Sequence, residues 1–405
     1  MAAPLDGIVV LDFSRVLAGP HCGRALADLG ARVIKIEPPA GDLTRFCYPR
    51  RNSISSYFAQ QNTGKDNISL DLSKPEATDI ILGLVEHADV VIENFRPGVM
   101  KRLGLDYERL AAIRPELVYA SSNGYGTGTS WEKRRAYAPV IGAETGLIKS
   151  QGDARDGQYF NDRHSHADVY TALELTVAVL AALNHRHTTG RGQQVEVTMA
   201  QTMLYVNEHT HDALWDEQVP EGVIRSFQPG DYQVLELGDG SSVIVSGHPA
   251  EGGTFEFFMR AIGREDAIDD PRFADIASRR KNLSDINQML ADHAKTIPDA
   301  VAYEEILSQH NLAVGQLRTV REFAESEWSA ETGAIVEVSD RGDGVVKIPQ
   351  APWRFSDGAD VGIHGTPRYR GEDNETVLSE LLGLDSATLL QLEENGVLSS
   401  HVPRR

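Results

Sequence analysis

The chain has 405 residues, 41% of them hydrophobic, and a formal net charge of −20 at neutral pH. That length accommodates two domains, or one large domain with an insertion, and the acidic balance argues against nucleic acid or an anionic membrane as partner. No apolar run approaches a membrane span, MAAPLDGIVVLDF lacks the pattern of a signal peptide, and Cys22 and Cys47 are too few for a disulfide framework, so a cytoplasmic protein is expected.

The first half alternates strands and helices. Ile8–Phe13 reads as a short apolar strand, SRVLAG as a loop, and Pro20 as a residue of the first turn of a helix that Gly30 ends. Arg32–Glu37 returns as a strand. Pro75–His87 is predicted as a helix, Asp89–Glu93 as a strand, and Leu117–Ser122 as a further strand after Pro115. Strands separated by helices of this length imply a Rossmann-like parallel sheet with right-handed crossovers. Ligands on such sheets bind at the carboxyl ends of the strands, where SRVLAG, ENFRPG and SSNGYG fall.

The stretch His164–Met199 carries one carboxylate, Asp168, at the front of a long apolar helix closed by the turn TGRGQ and the strand QVEVTM. From Val169 to Leu183 almost every residue is apolar or small, which predicts a helix buried on most sides. Ser165 and Asp168 stand in the S-x-x-D relation of a capping box. The positive end of the helix dipole and unpaired N–H groups there would favour an ionised carboxylate. On position alone, Asp168 reads as a helix cap.

After Met199 the pattern changes. Residues 200–225 read as a connecting helix and linker, Gly230–Gly247 as a hairpin turning at Asp239-Gly240, and Thr254–Ile262 and Asn282–Lys295 as helices. The expected division is an α/β large domain over 1–199, a linker over 200–225, a smaller α+β domain over 226–325, and a return to the first domain over 326–405. That return ends in two helices between Asp373 and Asn395.

The helix start at Asp168, the TGRGQ turn and the opening segment LDGIVVLDFSRVLAGPHCGRALADLGARVIKIEPPAGD together resemble the class III CoA-transferases, the CaiB–BaiF family. Further matches are YFAQQNTGKDNISLDLSKPEA, ADVVIENFRPGVMKRLGLDYERL and AVGQLRTVREFAESEW, in the family's order over nearly the whole chain. The resemblance implies transfer of CoA from an acyl-CoA thioester to a free carboxylic acid, with Asp168 as covalent nucleophile and no permanently bound cofactor. It also implies an interlocked-ring homodimer. A carboxylate suits the reaction, since attack on a thioester gives an anhydride that the released thiolate can attack in turn.

By the same resemblance Val16, Asn94, Phe95, Arg102 and Arg135 are expected to contact CoA. Both arginines can pair with phosphate oxygens. Read singly, Arg102 equally fits a C-terminal helix cation, Phe95 a core residue and Asn94 a turn former. Formyl-CoA transferases of the family carry Gln in place of Leu17 and Glu in place of Ala138, so the pocket expected here is less polar. An α-methylacyl-CoA racemase is the rival activity, disfavoured because Tyr137 stands where the racemases have a His, and a Tyr is the weaker base at neutral pH. A non-catalytic acyl-CoA-binding protein is a rival of another class. The segment Ser246–Gly253 matches the place of a lid in some members, and His248 within it could reach substrate, although a lone loop His is more often only solvated. His164, His166 and Asp168, like His209 and His211, lack an accompanying Cys or Glu in a known ligand spacing. Because residues i and i+2 do not share a helix face, no metal site is expected. GYGTG is not a dinucleotide fingerprint.

Overall fold

A computed structural model describes residues 2–153, 155, 157–215 and 232–403. The chain forms two compact units, one running up to Glu208 and resuming at Glu327, the other spanning His209–Ser326. The stretch 216–231 holds the end of the expected linker, the expected start of the small domain at Ser226 and the first residues of the expected hairpin, and lies outside the described residues.

The first unit is built on six strands, β1 (Val9–Asp12), β2 (Arg32–Glu37), β3 (Asp66–Ser69), β4 (Val90–Glu93), β5 (Val118–Asn123) and β6 (Gln193–Thr198). All pair in parallel, in the order β3-β2-β1-β4-β5-β6. This is the expected parallel sheet, with its strand order reversing between β1 and β4. The runs VVLD, RVIKIE and VVIE are rich in β-branched residues and almost wholly buried, as strands covered on both faces are. Side chains alternate between two cores. Leu11, Ile34, Ile68 and Val91 join Ile81 and Leu84 of helix α3 (Pro75–Val85) on one face. Val10, Val33, Val90 and Ile92 join Leu26 of α1 (Ala18–Asp28) and Leu175 and Val179 of the long helix His166–Thr189 on the other.

Edge strand β3 was not legible in the sequence. Its DNIS lacks an apolar run, yet Asn67, Ile68 and Ser69 are buried. The returning C-terminal segment covers the edge: the Asp373 carboxylate accepts from Asn67 N at 2.9 Å, and the Asn374 amide oxygen from Ser69 N at 2.9 Å. An edge capped in this way has no row of unpaired donors to offer another chain.

The helix His166–Thr189 corrects two expectations. It is not buried on most sides, because Leu173 and Val177 are 44% and 60% exposed. By length and composition it is also apolar enough to cross a membrane, although its inner face is seated on the sheet beside α1. It ends where expected, at Gly190 with φ +68°.

The second unit has an antiparallel sheet of β7 (Val234–Glu236), β8 (Ser242–Val245) and β9 (Val314–Gln316). The turn between β7 and β8 falls at Asp239-Gly240, with Gly240 at φ +82°. Helices Thr254–Ala261, Leu283–Ala294 and Ala300–Ser308 close a core of Phe255, Phe258, Phe273, Ile286 and Tyr303. The first unit also holds an antiparallel hairpin, Ile335–Ser339 with Val345–Pro349, that sequence reading left unassigned.

Candidate active site

The chain leaving β1 turns through Ser14–Leu17 into α1, above the strand-order reversal. Val16 holds φ +68°, a conformation a β-branched residue rarely adopts. Four contacts keep it there. Val16 N donates to Asp42 Oδ2 at 3.1 Å, and Lys35 Nζ donates to Ser14 O at 2.9 Å. From the end of β4, the Asn94 side chain braces Arg15 in both directions: Arg15 N donates to Asn94 Oδ1, and Asn94 Nδ2 donates to Arg15 O, each at 2.8 Å. Gly19 completes the turn, because a Cβ there would stand 2.1 Å from Ser14 Cβ and 3.4 Å from Asn94 Cγ.

Beneath this loop lies a buried charge network that sequence reasoning missed. Lys65 Nζ donates to Asp12 Oδ2 at 2.8 Å, to Pro20 O at 2.8 Å and to Asn62 Oδ1 at 3.0 Å, so all three of its protons are used. Lys35 lies 3.4 Å from Asp42. Burial works to raise the Asp12 carboxyl, but the charges of Lys65 and Lys35 outweigh it and hold it below the usual range. Burial, helped by the like charge of Lys35 and opposed by Asp12, pulls Lys65 down to about 8. The sequence did contain a signal: Lys35 in RVIKIE and Asp12 ending VVLD are charges in strands that otherwise read as doubly covered.

Asp168 sits in the first turn of the helix His166–Thr189, whose N-cap is Ser165. The expected capping box is absent, since the Ser165 side chain makes no cap bond. The expectation that the helix start favours the ionised carboxylate is also reversed: burial raises Asp168 to about 6. Among the described residues no group donates a hydrogen bond to this carboxylate. Its surroundings are legible from electrostatics and packing. Tyr57, in helix α2 (Ser56–Asn62), is raised to about 12 by burial first and then by the charges of Asp168, Cys47 and Asp42. Ala167, the residue before Asp168, packs with Ala138 and Ile141 of the helix Ala138–Glu144 and with Met199 and Met203. Tyr57, like the buried charge network, was missed by sequence reading.

Val16 is part-exposed and Leu17 buried, adjacent on the braced loop. Asn94 and Phe95 join that loop directly, since the Arg15 guanidinium stands 5.6 Å from the Phe95 ring centroid. Phe95 N donates to Glu93 Oε2 at 2.7 Å, and burial raises Glu93 to about 8. Arg102, ending the short helix Val99–Arg102, and Arg135 are both exposed, and among the described residues neither forms an ion pair. Ala138 is buried beside the Asp168 turn, whereas Tyr137 is 64% exposed. His248 belongs to the second unit and is not a solvated loop residue: it is buried, with Nδ1 accepting from Ala250 N at 3.2 Å.

The site thus holds a braced loop and, in Asp168, a partly buried carboxylate with no hydrogen-bond donor among the described residues. By contrast Asp12, Glu37, Asp42 and Asp89 are all held by cations.

Comparison with known proteins places the chain in a family. The model of CoA-transferase family III matches residues 5–374. The chain is 30% identical to a formyl-CoA:oxalate CoA-transferase of Streptomyces avermitilis, over 98% of this chain and 100% of that one. It is 31% identical to a probable fatty acyl-CoA transferase of Mycobacterium tuberculosis, over 93% of this chain and 98% of that one. The crystal structure of a CAIB/BAIF family protein from Brucella suis superposes with a TM-score of 0.81 at 30% identity, covering 94% of this chain and 100% of that one.

Proposed function

The chain belongs to CoA-transferase family III, and from that premise we propose that it moves CoA from an acyl-CoA thioester to a free carboxylic acid, with Asp168 as the nucleophile. An Asp168 oxygen attacks the thioester carbonyl and expels the CoA thiolate, leaving an acyl–aspartyl anhydride. The thiolate then attacks the aspartyl carbonyl, releasing the donor acid as its carboxylate and leaving an aspartyl-CoA thioester. The acceptor carboxylate attacks that thioester, forming a new anhydride, and the thiolate removes the new acyl group as acyl-CoA. Asp168 is regenerated without net proton transfer.

The observation that carries this reading is the state of the Asp168 carboxylate. With a pKa of about 6 it is mainly ionised at neutral pH, and among the described residues no donor takes up its lone pairs. Glu93, a buried carboxyl without a cation among the described residues, is raised to about 8, is mainly protonated at neutral pH and would be a poor nucleophile.

Arg102 and Arg135, exposed and without ion-pair partners among the described residues, would take the CoA phosphates. The backbone of Val16 and the ring of Phe95 would line the pantetheine path. Buried Leu17 and Ala138 favour an acyl group larger or less polar than oxalate. A cocrystal with a bulky acyl-CoA whose tail points away from both would overturn that assignment. The working form would be a cytoplasmic homodimer, with exposed Leu173, Val177 and Tyr205 among the apolar side chains available to a partner copy.

The deciding experiment is intact-protein mass spectrometry after mixing the enzyme with a panel of acyl-CoAs and trapping with hydroxylamine or borohydride. An adduct or reduced residue mapping to Asp168 is expected. Exchange that proceeds with no such adduct would refute the covalent route.

A further inference from the structure

A second cluster of side chains stands just ahead of the helix that carries Asp168. Asp162, His164 and His166 present one carboxylate and two imidazoles whose ligand atoms all lie within 4.8 Å of one another. Asp162 Oδ1 lies 3.2 Å from His164 Nδ1, and Oδ2 lies 3.3 Å from His166 Nε2. The spacing objection raised by the sequence does not apply, because it assumed a helix. The helix begins only at His166, and the bend at residues 163–164 brings the two rings to 5.8 Å.

The cluster is organised beyond chance proximity. His164 N donates to Asp162 Oδ1 at 2.7 Å, which fixes the carboxylate, and the His166 ring stacks on Tyr170 at 5.6 Å and 16°, which fixes the imidazole plane. Two donors each about 2.1 Å from one ion stand about 3.0–3.4 Å apart, and each imidazole meets that spacing from a different oxygen of Asp162, so both carboxylate oxygens would face the ion together. Two imidazoles with one carboxylate suit a borderline transition metal and not Mg²⁺ or Ca²⁺, which take oxygen ligands.

We propose that Asp162, His164 and His166 form a binding site for a divalent transition-metal ion such as Zn²⁺ or Co²⁺. Three protein donors leave at least one coordination position for water or a ligand carboxylate. The test of this site does not depend on the group-transfer chemistry assigned to Asp168.

The experiment is titration of the full-length, untagged chain with Co²⁺, followed by visible absorption, and with Zn²⁺, followed by equilibrium dialysis. One ion per chain is expected, with d–d bands of nitrogen and oxygen coordination and no displacement by excess Mg²⁺. Loss of a group that merely orients a ligand already weakens metal sites by about 10–100-fold, so His164→Ala, His166→Ala and Asp162→Asn should each weaken binding at least about tenfold. The His164 side chain is 76% exposed, so His164→Ala reports on binding without disturbing the fold. Failure to saturate with either ion would overturn the proposal, as would affinity unchanged in His164→Ala. In either case the cluster is only a hydrogen-bonded Asp–His pair of pairs.

Discussion

In the proposed reaction Asp168 would link stability and catalysis through one ionisation. Its folded pKa of about 6 lies above the ordinary 3.8. The contribution of this group to stability is therefore fully present below pH 3.8 and is lost as pH rises through about 6. At neutral pH the folded state carries a destabilising charge of about 3 kcal/mol. Asp168→Asn should therefore raise the denaturation midpoint at pH 7, leave it unchanged near pH 3.5 and abolish exchange. A residue that served only as a helix cap would behave oppositely, its loss destabilising by about 1 kcal/mol at neutral pH. In the wild type, kcat should fall below pH 6 as the carboxylate protonates. Lys65 makes the complementary case. Lys65→Met leaves Asp12 buried beside the weaker partner Lys35, and chemical denaturation should register a loss of about 3–5 kcal/mol. Asp168 could be singled out in the sequence because it follows Ser165 and precedes an apolar run. Its elevated pKa could not, since burial of the helix start depends on chain segments as distant in sequence as Ala138, which packs on Ala167.

At the scale of elements, the loop Ser14–Leu17 is held by partners from three other segments. Asn94 comes from β4, Asp42 from the turn after β2, and Lys35 from β2 itself. Asn94→Ala removes both bonds to Arg15 and frees the strained Val16 turn. The expected result is a KM for acyl-CoA raised about tenfold or more, with a smaller change in kcat, read from initial rates of exchange. Gly19→Ala tests the same geometry from the packing side. Its Cβ would collide with Ser14, so both stability and KM should suffer, whereas Gly7→Ala meets no neighbouring atom and should not change KM. Strands β1, β2 and β4 were legible because each is a short run rich in β-branched residues between turn signals, and β5 because VYA follows the Pro115 break. Strand β3 was not, because its burial is imposed by the C-terminal return at Asp373 and Asn374.

For the whole molecule, the outer face of the helix His166–Thr189 sets the expectation. Leu173 and Val177 project from a helix whose other face is seated on the sheet, and Tyr205 on Met199–Tyr205 is 78% exposed. Val177→Asp should shift light scattering from dimer toward monomer if this face meets a partner copy, and leave the mass unchanged if it does not. The sequence by itself determined the alternation of strands and helices, the parallel sheet and the family, because these rest on local periodicity and on motifs contiguous in the chain. It also marked Asp168 and the loop Ser14–Leu17. Tertiary structure alone decided that Asn94 braces the loop, that Lys65 and Lys35 neutralise Asp12 and Asp42 beneath it, and that Asp168 is partly desolvated without a hydrogen-bond donor among the described residues. Each of those depends on groups far apart in sequence sharing one low-dielectric space, which no local pattern encodes.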